Sequence, residues 1–214
     1  MQYLWYVRLV GKAVELLVEA VGSWDEPLPS QDQPADLTER VLGYRAWRLD
    51  SGGLRSVATE TRWSRRTLVA ACRHGGRQDD HAAPVAQCRC GIYALHEPEP
   101  RLLFRDRLVW GAVALDGRVL LYGNGLRAER ATVLVLAYAG DEPQPALARA
   151  GRALDVELVP FSALIAAAGA CGAVPAPDPQ ALRRGRPGDA DGAWDALSPP
   201  SGPRPLAAAA SLRR

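Results

Sequence analysis

Cys72, His81, Cys88 and Cys90 follow one another as C-x8-H-x6-C-x-C, and their side chains suit a metal ion better than any others in the chain. Thiolate sulfur and neutral imidazole are soft to borderline donors, and three sulfurs with one ring nitrogen complete the tetrahedral sphere that zinc favours. A sphere filled by four protein donors has no place for water or substrate. The Zn2+ expected here is therefore structural, a staple for a loop too polar to fold alone. If Cys88 and Cys90 lie on a strand, positions i and i+2 face the same way and both sulfurs reach one ion. His74 competes with His81 for the imidazole place.

Three other chemistries use the same residues. An iron–sulfur cluster would need a fourth thiolate, and Cys171 is far off in an Ala-rich stretch expected to be helical, where it reads as core filler. With no ion, the thiols would be buried as small apolar groups. A catalytic site would need Asp79 or Asp80 as base beside an open zinc, or Cys88 or Cys90 paired with His81 as nucleophile. Neither H-E-x-x-H nor the deaminase pairing of H-x-E with P-C-x-x-C occurs, so the balance is against an enzyme.

A second constellation is a belt of nine arginines between residues 40 and 77, opposed only by Asp50 and Glu60 and interleaved with Tyr44, Trp47 and Trp63. Guanidinium forks pair with phosphates while aromatic faces stack on bases, so the belt has the composition of a nucleic-acid surface. It also has that of an ordinary solvated strand face. Lys12 is the only lysine among 26 basic residues, a mark of GC-rich coding that inflates arginine counts everywhere. The residues expected to touch another macromolecule are Arg45, Trp47, Arg48, Arg62, Arg65, Arg66 and Arg127. A protein partner is the first expectation, met by this face or by the N-terminal helix; nucleic acid is the second, and self-association is a further expectation. Arg127 and Glu129 should share a strand face as an ion pair.

These groups need a scaffold, and 214 residues that are 48% hydrophobic and 23% charged can build one domain with extensions. A formal charge of +2 excludes a global polycation but not a basic face. Leu4, Val7, Val10, Val14, Leu17, Val18 and Val21 recur at helical spacing, so residues 1–21 read as an amphipathic helix. Arg8, Lys12, Glu15 and Glu19 interrupt it, which leaves no transmembrane segment and no signal peptide. With four cysteines and no export signal, a reducing cytoplasm is expected.

Residues 22–37, rich in proline and acidic residues, form a linker. Residues 38–140 break into short β-like runs: 41–49 and 54–61 around a turn at 50–53, then 65–72, 88–95, 108–115, 118–122 and 127–139. Asp116-Gly117 gives the strongest hairpin signal, and Gly123-Asn124-Gly125 gives another turn. Residues 141–172 read as an α-rich addition, and 173–214 as a disordered tail, with a short docking peptide at Trp194-Asp195-Ala196-Leu197 as the alternative for that stretch. The expected fold is mainly β with flanking helices (α+β), a small barrel or curled antiparallel sheet carrying a Cys/His-stapled loop.

Gly43-Tyr44-Arg45-Ala46-Trp47-Arg48, His81-x-x-Pro84 leading into Cys88-x-Cys90-Gly91-Ile92-Tyr93-Ala94, the Trp110-Gly111-x-Val113 run and Gly125-Leu126-Arg127-Ala128-Glu129 together resemble an uncharacterised family of small bacterial proteins. The resemblance covers roughly residues 41 to 138 and implies that the Cys/His cluster and both Gly-x-Arg-Ala segments belong to one module. It implies no activity.

Overall fold

A computed structural model describes residues 35–51, 53–57, 61–72, 81–99 and 108–177. The helix expected at 1–21, most of the linker, the stretch 73–80 with His74, Asp79 and Asp80, and the tail from 178 lie outside these residues. The described chain is mainly β. Its strands are β1 (Ala35–Asp50), β2 (Gly53–Ser56), β3 (Arg62–Trp63), β4 (Thr67–Val69), β5 (Ile92–Leu95), β6 (Leu108–Leu121), β7 (Gly125–Tyr138), β8 (Glu157–Pro160) and β9 (Val174–Pro175). Two short helices, α1 (Pro145–Leu154) and α2 (Leu164–Gly169), follow the long strands, with a 3-10 turn at Phe161–Ala163.

β1, β6 and β7 are long because both of their faces are apolar. On β1, Val41, Trp47 and Leu49 enter one core while Leu42, Tyr44 and Ala46 enter another. The first core is completed by Leu147, Ala150 and Leu154 of α1, the second by Leu164 and Ala168 of α2. In α1 those three residues recur at helical spacing, Pro145 starts the helix, and Asp155 ends it in the left-handed region at φ 53°. Trp47 packs edge-on against Trp63, with ring centroids 5.3 Å apart.

β6 pairs antiparallel with β1 on one side and β7 on the other. The short β5 pairs with both β1, through Tyr44 and Leu95, and β7, through Ile92–Ala128 to Leu95–Gly125. The four strands thus pair in a ring, β1–β6–β7–β5, and β5 is its narrowest link.

Two local expectations are corrected. Asp116-Gly117 is no hairpin: β6 runs unbroken through it. The register against β7 slips between Asp116 and Val119, so Gly117, at φ 71°, sits in a bulge. Long ladders on both flanks of β6 outweigh the two-residue turn preference. The reversal occurs at the following turn, closed by Tyr122 N–H donating to Gly125 O at 2.8 Å. Val174 and Pro175, expected in the disordered tail, pair in parallel with Val41 and Leu42 on the edge of β1, and Ala173 beside them is buried.

Candidate metal centre

The segment 81–91 that precedes β5 folds back on Cys72, three residues beyond the end of β4. This brings the ligand atoms of Cys72, His81, Cys88 and Cys90 within 4.8 Å of one another. Cys72 Sγ lies 3.6 Å from Cys88 Sγ, and His81 Nε2 lies 3.2 Å from Cys90 Sγ. Zn–S bonds of about 2.3 Å in a tetrahedron put sulfurs ~3.8 Å apart, so the separation fits donors around one ion. A disulfide, at about 2.05 Å, does not fit, and all four cysteines of the described chain are free. Cys90 is buried, and the other three donors are half-buried. The cluster is compatible with one metal ion.

Burial pushes the Cys90 thiol up to about 11, and the neighbouring Cys88 and Cys72 sulfurs add to the rise. Burial works against the Cys88 thiolate too. There the Cys90 backbone N–H and side-chain hydrogen bonds from Cys72, Cys90 and His81 win, and the thiol falls below its ordinary range. Three sulfurs this close repel as thiolates, and a shared divalent cation removes the conflict.

Cys88 and Cys90 are not on a strand. β5 begins only at Ile92, and the two sulfurs converge because a turn, closed by Cys88 N–H donating to Val85 O at 3.0 Å, reverses the chain before it. What holds that turn is Arg127 of β7. It is 2% exposed, and its guanidinium donates to the carbonyls of Cys88, of Val85 at 2.9 Å and of Ala86 at 3.4 Å, and to Tyr93 Oη at 3.3 Å. Its charge lies over the rings of Tyr93 and Tyr122 at 5.7 and 5.3 Å. Gly91, at φ 118°, passes so close that a Cβ there would stand 2.6 Å from Arg127 Cγ. Arg127 is therefore an internal clamp, not part of a binding face.

Nor does Arg127 pair with Glu129. The bulge sets Gly117 and Arg118 opposite Glu129, and Arg118 Nε donates to Glu129 Oε2 at 3.0 Å while its Nη2 donates to Ala83 O, also at 3.0 Å. A second arginine thus ties the loop to the sheet. Burial alone would raise the Glu129 carboxyl, but hydrogen bonds from Arg118 outweigh it and hold the group below the ordinary carboxylate range. Its ionised form therefore stabilises the fold above the unfolded-chain value, and that contribution disappears as pH falls through the lower, folded value. Glu129→Gln is expected to cost ~0.2–1 kcal/mol at pH 7, as for a half-exposed pair. Urea titrations should show the difference shrinking towards zero as the pH is lowered below the folded-state value.

The belt residues divide by strand parity. Arg45 and Trp47 share the face of Val41 and Leu49, so both point inward, and Trp47 is fully buried. Arg45 donates to Tyr93 O and to Ser56 Oγ at 2.9 Å, beneath Trp47 and Trp63. Burial lowers its pKa to about 10, which still leaves it charged at neutral pH. Arg48 is half-buried, whereas Arg62, Arg65 and Arg66 are exposed. Two sequence signals pointed to the internal clamps: the parity of Arg45 with Val41 and Leu49, and the Gly-x-Arg-Ala echo, since Arg45 and Arg127 bracket β5 from its two sides, each holding Tyr93. Cys171, expected in the core, is exposed just beyond α2 and donates to Ala167 O at 3.3 Å.

Comparison with protein-family models, with curated proteins and with solved structures returns no match, so the resemblance of residues 41 to 138 rests on their motifs alone. No helix among the described residues is long and apolar enough to cross a membrane.

Proposed function

We propose that the chain is a zinc-stapled binding module of a reducing, cytoplasmic environment, with its ring of strands serving as a rudimentary barrel that presents a surface to another macromolecule. The observation that carries the staple is the convergence of four protein donors within 4.8 Å. Three sulfurs and one imidazole satisfy zinc and leave no coordination place for a reacting molecule, which favours a structural over a catalytic ion. The donors also sit where a staple is needed, on a loop that owes its course to Arg127 and Arg118 rather than to a hydrogen-bonded ladder. The binding surface is the part of the belt left outside: Arg62, Arg65 and Arg66, on the segment that leads from β3 to β4 and on to Cys72. The helix at 1–21 would serve assembly with a protein partner or a second copy.

The metal is tested by elemental analysis of the purified chain and by exchange with cobalt(II). One zinc per chain is expected, and the cobalt form should show the visible bands of a tetrahedral thiolate complex. A folded chain carrying zinc only at trace level, and taking up cobalt with an octahedral spectrum, would overturn the proposal.

A further inference from the structure

β4 lies against β7 along one edge only. Val133 N–H donates to Arg66 O at 2.9 Å and Ala70 N–H donates to Glu129 O at 2.7 Å, and between them Leu68 stands opposite Ala131. In an antiparallel ladder alternate residues turn their N–H and C=O to the partner strand, and those between turn theirs the other way. Arg66, Leu68 and Ala70 therefore face β7, while Thr67 and Val69 hold their backbone groups out along the opposite edge. No strand among the described residues pairs there. Native sheets usually blunt such an edge with a charge, a proline or a bulge. Thr67-Leu68-Val69-Ala70-Ala71 has no charge and no proline, and its register against β7 is unbroken. Leu68 packs on the first core, whereas Val69 is 59% exposed, one of two large apolar side chains so placed among the described residues. The approach to this edge is basic: Arg62, Arg65 and Arg66 are exposed, and no acidic residue occurs from 61 to 78. Arg130, opposite Val69, is already paired with Asp116, and Arg66 Nε is held by Val133 O at 3.0 Å. Arg62 and Arg65 make no hydrogen bond or ion pair among the described residues.

We propose that β4 accepts an extended acidic peptide of a protein partner as an added strand, with Thr67 and Val69 supplying the backbone hydrogen bonds and Arg62 and Arg65 the charge. The proposal names the partner class of the binding module above and rests on that reading. An added strand pairs with open N–H and C=O groups whatever its side chains, so the edge selects an extended conformation, and the side chains beside it select composition. An apolar residue of the peptide covers Val69, and carboxylates meet the guanidinium forks. A second copy of the chain is a poorer occupant, because its own β4 brings the same arginines to the same edge. Nucleic acid would offer phosphate to the arginines but leave the open backbone groups and Val69 unanswered.

The test uses the full chain, its zinc content measured on the same sample, and a fluorescein-labelled peptide that alternates glutamate and valine over about ten residues, the length of a long strand, read by anisotropy. Saturable binding is expected below ~1 mM, weakening as ionic strength rises from ~0.01 to ~0.1 M. A peptide alternating glutamate and proline has the same charge but lacks every second N–H, and it should bind at least ~10-fold more weakly. Val69→Pro removes an N–H that β7 does not use, a change that edge strands tolerate. It should leave the zinc in place and weaken the glutamate–valine peptide by ~10-fold or more. Arg62→Gln/Arg65→Gln changes two exposed side chains and should weaken that peptide by ~2- to 30-fold, with most of the salt dependence gone.

The proposal is overturned if folded, zinc-loaded chain leaves the glutamate–valine peptide free at ~1 mM, or binds the glutamate–proline peptide equally well. Equal binding of a lysine–valine peptide would overturn it too, as would a folded Val69→Pro chain that keeps the parent affinity, or duplex DNA that displaces the peptide more readily than unlabelled peptide does. Dimerisation that Val69→Pro abolishes, with no peptide bound, would make a second copy the occupant and refute the acidic peptide. Binding as expected by chain that lacks zinc would sustain the edge and defeat the staple; zinc-loaded chain that ignores the peptide would do the reverse.

Discussion

Exchanging Cys90 for serine is expected to strip the metal from the chain and lower its melting temperature by ~8–16 °C. An ion held about 1,000-fold above its dissociation constant stabilises by about 4 kcal/mol, and a chain of this size loses ~2–4 °C per kcal/mol. Cys90 is the informative ligand because it is the buried one. A buried serine also costs packing and an unpaired hydroxyl, so the variant alone does not isolate the ion. Chelation of the parent chain separates the two: it should reproduce most of the shift and leave Cys90→Ser unmoved. Cys171→Ser, at an exposed thiol outside the cluster, should change neither metal content nor melting. Calorimetry with and without chelator decides the matter. A parent chain whose melting ignores chelation would mean that the ion, if bound, does not hold the fold.

Arg127→Met should cost ~2–4 kcal/mol and weaken metal binding by ~10–100-fold, although residue 127 touches no ligand atom. The stability loss arises because the carbonyls of Val85 and Cys88 lose their donor in a place where water enters poorly, at ~1–3 kcal/mol each. The affinity loss arises because the turn carrying Cys88 is no longer fixed, and outer supports of a metal site typically matter to that degree. Arg127→Lys should recover little, since a single ammonium cannot span the Val85 and Cys88 carbonyls at once while lying over the Tyr93 and Tyr122 rings. Chelator competition gives the dissociation constant and urea unfolding gives the stability. Lower stability with unchanged metal affinity would reduce Arg127 to an ordinary core residue and refute its role as a clamp on the loop.

That Cys72, His81, Cys88 and Cys90 could share one ion was legible from residue type and spacing, with His74 left as a rival to His81, and the structure brings those four together. The way they converge was not. A strand through 88–95 would have aligned two sulfurs by parity, yet β5 starts at Ile92 and a turn does the work. The partners of Arg127 are carbonyls 39 to 42 positions away, and backbone acceptors leave no trace in residue identity. Asp116-Gly117 misled for a related reason: a local turn preference competes with ladders on both sides of β6, and only the tertiary pairing reveals which wins. Parity, in contrast, was available. Arg45 and Trp47 alternate in phase with Val41 and Leu49, which places them in the first core, while Arg48 is in phase with Leu42, Tyr44 and Ala46 of the second.

The clamp on the loop comes from a strand made later than the loop itself. During translation, Cys72, His81, Cys88 and Cys90 are all added before Arg127, the last of them by a delay on the order of 2–8 s at about 5–20 residues per second. For that interval the nascent thiols lack the support that β7 supplies, so the zinc proposed above would be captured early, or the sulfurs would stay reduced and unclaimed until β7 arrives to close over them.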